Sequence, residues 1–190
     1  MSEAERSKEA RRLAGIVFDR TVPVDALLAQ VIDRLKRSGA DLAGVVQAPG
    51  PETGAGGVRD LRLHGLRGDW DVSILQNRGR HAQGCRLDSG AIADVAGRLE
   101  TSLAEGADLL IVNRFGRAEA EGHGLRQVLV RAVGQDMPLL IAVRTDYEDA
   151  WDAFHGGLAE TLPPDLDAIL AWCRSLGLTE PARSLQSASD

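Results

Sequence analysis

Two glycine-bearing loops hold most of the side chains in this sequence that could do chemistry. The first, QNRGRHAQGCRLDSG (residues 76–90), sets Arg78, Arg80 and Arg86 beside His81 and Cys85. The second, NRFGRAEAEGHG (residues 113–124), carries Asn113, Arg114, Arg117 and His123, with Glu119 and Glu121 among them. A guanidinium donates two parallel hydrogen bonds to a tetrahedral oxyanion. A glycine-rich segment ahead of a helix exposes amides that favour the same ligand. If the two loops converge, Arg78, Arg80, Arg86, Arg114 and Arg117 surround one anion.

Each of these residues also has a plainer reading. Glu119 and Glu121 fall in the first turn of a helix, where carboxylates are favoured by the helix dipole. His81 and His123 titrate near neutrality, yet loop histidines are commonly just exposed. Cys85 stands beside Arg86 near a helix start, surroundings that favour a thiolate; it serves equally as a small residue packed beneath the loop.

The elements that position these loops follow from apolar patterning. LAGIVF (13–18), DLAGVVQ (41–47), DLLIVN (108–113) and PLLIAV (138–143) are short apolar runs suited to buried parallel strands. Val24, Leu27, Leu28, Val31, Ile32 and Leu35 repeat at helical spacing, with Pro23 at the first turn and Gly39 at the end. Ile92 to Leu103 form a second helix with Asp88 or Ser89 as N-cap. Leu125 to Val133 form a third, and Leu166 to Cys173 a last one ending near Gly177. APGPETGAGG (48–57) reads as a turn-rich loop, and VRDLRLHG and WDVSIL read as a hairpin. This order predicts an α/β domain over residues 13–178: a mainly parallel open sheet, helices on both faces, an inserted β-hairpin, and loose tails at 1–12 and 179–190. In such sheets ligands sit beyond the carboxyl ends of the strands. The relevant loops therefore follow Phe18, Gln47, Asn113 and Val143.

The totals exclude several classes. A net charge of -6 disfavours general affinity for nucleic acid or an anionic membrane. Two cysteines without metal-type spacing fit a reducing cytoplasm, and neither a signal peptide nor a membrane span is expected. A homo-oligomer is compatible with the sequence.

A nucleotide hydrolase with this element order carries GxxxxGK[ST] after its first strand, whose amides and lysine wrap the phosphates. Here the segment is DRTVPVD (19–25), with no glycine and no lysine. The place where such an enzyme ends its apolar strand with a magnesium-holding aspartate is taken by Asn113, a poorer partner for a hard divalent ion.

GCRLD (84–88) followed by DLLIVNRFGRAEAEGHGLR (108–126) resembles a bacterial domain-of-unknown-function family distantly related to P-loop nucleoside triphosphatases. The likeness runs from about Leu13 to Trp172 and implies a degenerate P-loop fold. The family is often encoded beside molybdate-transport genes and labelled nucleotide- or molybdenum-binding. The resemblance and the arginines together lead to a cytoplasmic protein that binds molybdate, a similar small oxyanion or a nucleotide phosphate. No metal, no further cofactor and no hydrolysis are expected. The rivals are a phosphohydrolase using Glu119 or Glu121, a thiol enzyme using Cys85, and a regulatory partner of a transporter or metalloenzyme.

Overall fold

Apolar runs too short for helices and flanked by turn residues become the buried strands of one sheet. The computed structural model describes residues 11–53, 58–75 and 87–179. The expectations for the two tails, and for Arg78, Arg80, His81, Cys85 and Arg86, lie largely or wholly outside those residues. In chain order the elements are β1 (Leu13–Phe18), α1 (Val24–Arg37), β2 (Leu42–Thr53), β3 (Val58–Gly65), β4 (Asp71–Ser73) and α2 (Ser89–Glu105). There follow β5 (Leu109–Phe115), α3 (Arg117–Ala120), α4 (Arg126–Gly134) and β6 (Leu139–Arg144). After a single 3-10 turn come α5 (Glu148–His155), β7 (Ala159–Leu162) and α6 (Leu166–Ser175).

Sheet order is β4-β3-β2-β5-β6-β1-β7. The pairs β2–β5, β5–β6, β6–β1 and β1–β7 are parallel, and β2–β3 and β3–β4 antiparallel. The expected α/β architecture with an added hairpin is therefore the one observed. β2 runs further than expected. Residues 48–53 stay in the sheet, paired antiparallel to β3 with a register shift between Pro49 and Glu52. Pairing to β3 overrides the turn composition there. α5 and β7, absent from the sequence reading, complete the far side.

Alternation along the strands divides the core into two layers. Ala43, Val45, Leu110, Val112, Leu139, Ile141 and Val143 face α2, α4 and α5, packing on Val95, Leu99, Val128, Leu129 and Trp151. Ala14, Ile16, Leu109, Ile111, Leu140 and Ala142 face α1 and α6, packing on Leu28, Val31, Leu35, Ile169 and Trp172. Both sheet faces are covered, as strands with continuous apolar sequence require. Asp88 caps α2 by accepting from the amides of Gly90 (2.9 Å) and Ala91 (3.0 Å), as its position predicts. At the opposite edge of the sheet, Arg67 ties the hairpin to the end of α2. Its guanidinium donates to Asp41, Glu105 and the Gly106 carbonyl.

Gly44, at φ 129°, lies against β5 so closely that a Cβ would strike the Ile111 carbonyl. Gly97, on α2, faces open space. Gly44→Ala is accordingly expected to lower unfolding stability by about 3 kcal/mol. Gly97→Ala should raise it by roughly 0.5–1 kcal/mol. Urea denaturation of the two variants checks both signs.

Candidate functional site

The carboxyl ends of β1, β5 and β6 lie side by side, and the residues just beyond them come together. β5 is the unusual strand. Its register with β6 runs Leu110↔Leu139, Ile111↔Leu140, Val112↔Ile141 and then Phe115↔Val143, one residue more on β5 than on β6. This is a bulge, a device that re-aims side chains at strand ends. The extra residue returns Phe115 to the first core layer, against Trp151 at 5.3 Å and Phe154 at 5.7 Å. It leaves Asn113 and Arg114 at the sheet edge.

Asn113 continues the Leu109–Ile111 alternation, which belongs to the layer beneath α1. It is 5% exposed, and its Oδ1 has no hydrogen-bond partner. Arg114 donates through Nη2 to Asp25 Oδ2 at 2.8 Å. Asp25 stands in the first turn of α1, and its other oxygen, Oδ1, is buried without a partner. Arg144 ends β6 opposite Phe18 of β1. Its Nη2 holds Asp146 at 2.6 Å, its guanidinium lies 5.2 Å from the Tyr147 ring centroid, and its Nε is buried without a partner. Arg20 reaches the same Asp146 at 3.2 Å. Two unpartnered acceptors and one unpartnered donor thus gather at one edge. Buried polar atoms are normally satisfied, and a group that offers both donors and an acceptor would satisfy all three.

The turn after β1 is closed by its own side chains. Asp19 accepts from the Thr21 amide at 2.8 Å and hydroxyl at 2.5 Å. Those bonds hold its carboxyl below the usual range. The glycine amides and lysine of a phosphate loop have no counterpart in this turn. Asp146 is also held below its ordinary value, first by the hydrogen bond from Arg20 and then by the charge of Arg144.

Glu119 and its neighbours take structural places. Glu119 is buried; its Oε2 accepts from the Gly116 amide at 3.0 Å and its Oε1 from the Leu125 amide at 2.9 Å. Its backbone carbonyl accepts from Arg126 at 2.9 Å. The carboxylate therefore closes the loop that carries α3, and the first-turn placement read from the sequence holds for Glu119, whereas Glu121 is the C-cap that ends the same four-residue helix. Arg117 and Glu121 form an exposed pair at 2.7 Å along one helical turn. His123 is exposed. Of the predicted site residues that are described, Asn113 and Arg114 belong to the orphan edge, whereas Glu119 holds its own loop. Sequence reasoning missed Arg144, Asp146 and Arg20. The available signal was the strand end PLLIAVRTD, at a loop already placed on the carboxyl edge.

The magnesium expected in an intact P-loop hydrolase finds a poor donor set. Thr21 is committed to Asp19, Asn113 is neutral, and Arg114 sets a fixed positive charge beside it. Among the described residues no group of three His, Cys, Asp or Glu side chains gathers. A neutral amide beside a guanidinium is a weak seat for a hard divalent ion.

The mainly parallel α/β sheet is similar in fold to a solved nucleoside triphosphatase. The solution structure of a human cancer-related nucleoside triphosphatase superposes with TM-score 0.56, at 14% identity, over 79% of this chain and 87% of that one. Residues 13–172 match the model of the family described as proteins of unknown function, DUF2478, and the chain belongs to that family. It is also similar to the molybdenum import ATP-binding protein ModC 2 of Bradyrhizobium diazoefficiens, 32% identical over 166 residues. That alignment takes in 87% of this chain but only 18% of the relative, so the chain spans about a fifth of its length. Among the described residues no helix is long and apolar enough to cross a membrane.

Two outcomes test this geometry. Glu119→Ala strands two amides and should cost about 2 kcal/mol of unfolding stability, read by chemical denaturation. A carboxylate with a depressed pKa keeps its link above the ordinary range and loses it as pH falls through the depressed value. The Asp146 carboxyl resonance should therefore titrate below the usual aspartate midpoint, and Arg20→Ala should move that midpoint up.

Proposed function

We propose that this protein binds the phosphate of a nucleotide, or a small oxyanion of the molybdate kind, at the carboxyl edge of its sheet, and that it does not hydrolyse it. The supporting observation is the set of three arginines, Arg20, Arg114 and Arg144, the last with a buried and unpartnered Nε donor, at the carboxyl edge where ligands of open α/β sheets sit. Likeness to an ATP-binding import protein and to a nucleoside triphosphatase supports the ligand class. The absent lysine and glycine loop, and the neutral Asn113, support binding without turnover. Arg78, Arg80, His81, Cys85 and Arg86 are proposed, on their residue types alone, as further ligand-binding residues. Arg117 and His123 are proposed to flank it, with a cytoplasmic location to match.

Thermal-shift titration with molybdate, tungstate, phosphate, ATP and GTP tests the binding. At about 100 times its Kd a true ligand stabilises the fold by roughly 2.7 kcal/mol, which raises Tm by about 5–10 °C for a domain of this size. No shift with any of these anions would refute the site. Phosphate release from ATP or GTP with magnesium is expected at background. Turnover near 1 per second, well inside the enzyme range, would refute the non-hydrolytic reading and direct attention to Glu119 and Glu121.

A second reading, a regulatory partner of a transporter, draws on the ModC 2 match, in which a like segment forms part of a much longer import protein. In that case the chain changes the ATPase rate of an import ATP-binding subunit when the two are mixed.

A further inference from the structure

The arginines at the carboxyl edge are not bare. Arg114 is held by Asp25, and Arg144 and Arg20 share Asp146. Three guanidinium groups and the carboxylates of Asp19, Asp25 and Asp146 cancel in charge. A carboxylate on a guanidinium presents oxygens much as a phosphate or molybdate does.

Asp25 is the informative member. Asp25 Oδ2 occupies Arg114, while Oδ1 is buried with no donor to accept from. The next residue back from Arg114 is Asn113, nine-tenths buried, with its own oxygen unpartnered on the layer beneath α1. Both partners of the Arg114–Asp25 pair are 42% exposed in their side chains. Exposed pairs of this kind are weak and readily exchanged.

We propose that Asp25 is a resident anion that gates this site: an incoming tetrahedral oxyanion displaces its carboxylate from Arg114 and binds without a divalent cation. The inference rests on the proposed oxyanion or nucleotide site and adds the residue that sets its affinity. In the exchange one carboxylate–guanidinium contact breaks and one oxyanion–guanidinium contact forms, with no covalent step. The freed carboxylate repels the bound dianion, so the gate lowers affinity and favours ligands that offer a hydrogen-bond donor to Asp25 and Asn113. A protonated phosphate or a ribose hydroxyl would serve.

The experiment is calorimetric titration of wild type, Asp25→Asn and Arg114→Ala with inorganic phosphate, molybdate and ATP, each in EDTA and in magnesium. Asp25→Asn is expected to bind about tenfold tighter than wild type, and Arg114→Ala about tenfold weaker, the usual scale for one charge-assisted contact. Wild-type affinity should be the same in EDTA and magnesium. The ligand arms separate a free oxyanion from a nucleotide as the source of the phosphate chemistry. If wild type binds a ligand but Asp25→Asn binds no tighter, or binding requires magnesium, the gate is overturned and the site stands. If neither wild type nor Asp25→Asn binds any of the three ligands, the gate and the site both fail. Should Asp25→Asn fold poorly, the Arg114 guanidinium resonances of isotopically labelled wild type decide. They must move when the ligand is added, and an unmoved signal at saturation overturns the exchange.

Discussion

One residue too many in β5 governs the edge of this sheet. Gly15 of β1 has no side chain, and the Trp151 indole takes that space, so close that a Cβ there would lie 2.6 Å from its Nε1. Phe115 must then reach the same layer to pack edge-on against Trp151 and beside Phe154. Strict alternation after Val112 would turn Phe115 to the other face, beneath α1. The bulge restores it, and Asn113 and Arg114 are left at the strand end as a consequence. A packing requirement in one layer thus sets the polar composition of the other.

The frame was legible because burial on both faces writes itself as unbroken apolar runs. LAGIVF, DLLIVN and PLLIAV are long enough to count and too short for helices, and Asp88 announces its helix by position. β7 carries only AETL, four residues with a glutamate among them, and its pairing to β1 is a tertiary fact. The tail of β2 contains prolines and a glycine and reads as a turn, yet β3 holds it in the sheet.

The site was legible in part for a related reason. Asn113 was visible because a strand end with an amide in place of a carboxylate is a local signal. The arginine–aspartate pairs were not. Arg114 meets Asp25 across 89 residues of sequence, and Arg20 meets Asp146 across 126. No spacing rule links such residues before the strand order is known. Reading the arginines without their partners gave an edge more cationic than the described part of it is.

The strand order also has a consequence in time. β1 lies between β6 and β7, and its partners begin at Leu139 and Ala159. During synthesis at about 5–20 residues per second, the first strand made is left without its sheet neighbours for roughly the time needed to make the next hundred residues. β2 and β3, by contrast, are consecutive in the chain as well as paired in the sheet, so neither waits for a distant partner. The β6-β1-β7 side of the sheet is therefore the last part to close, and the apolar strand β1 stays open to other partners until Leu139 and the residues after it are made.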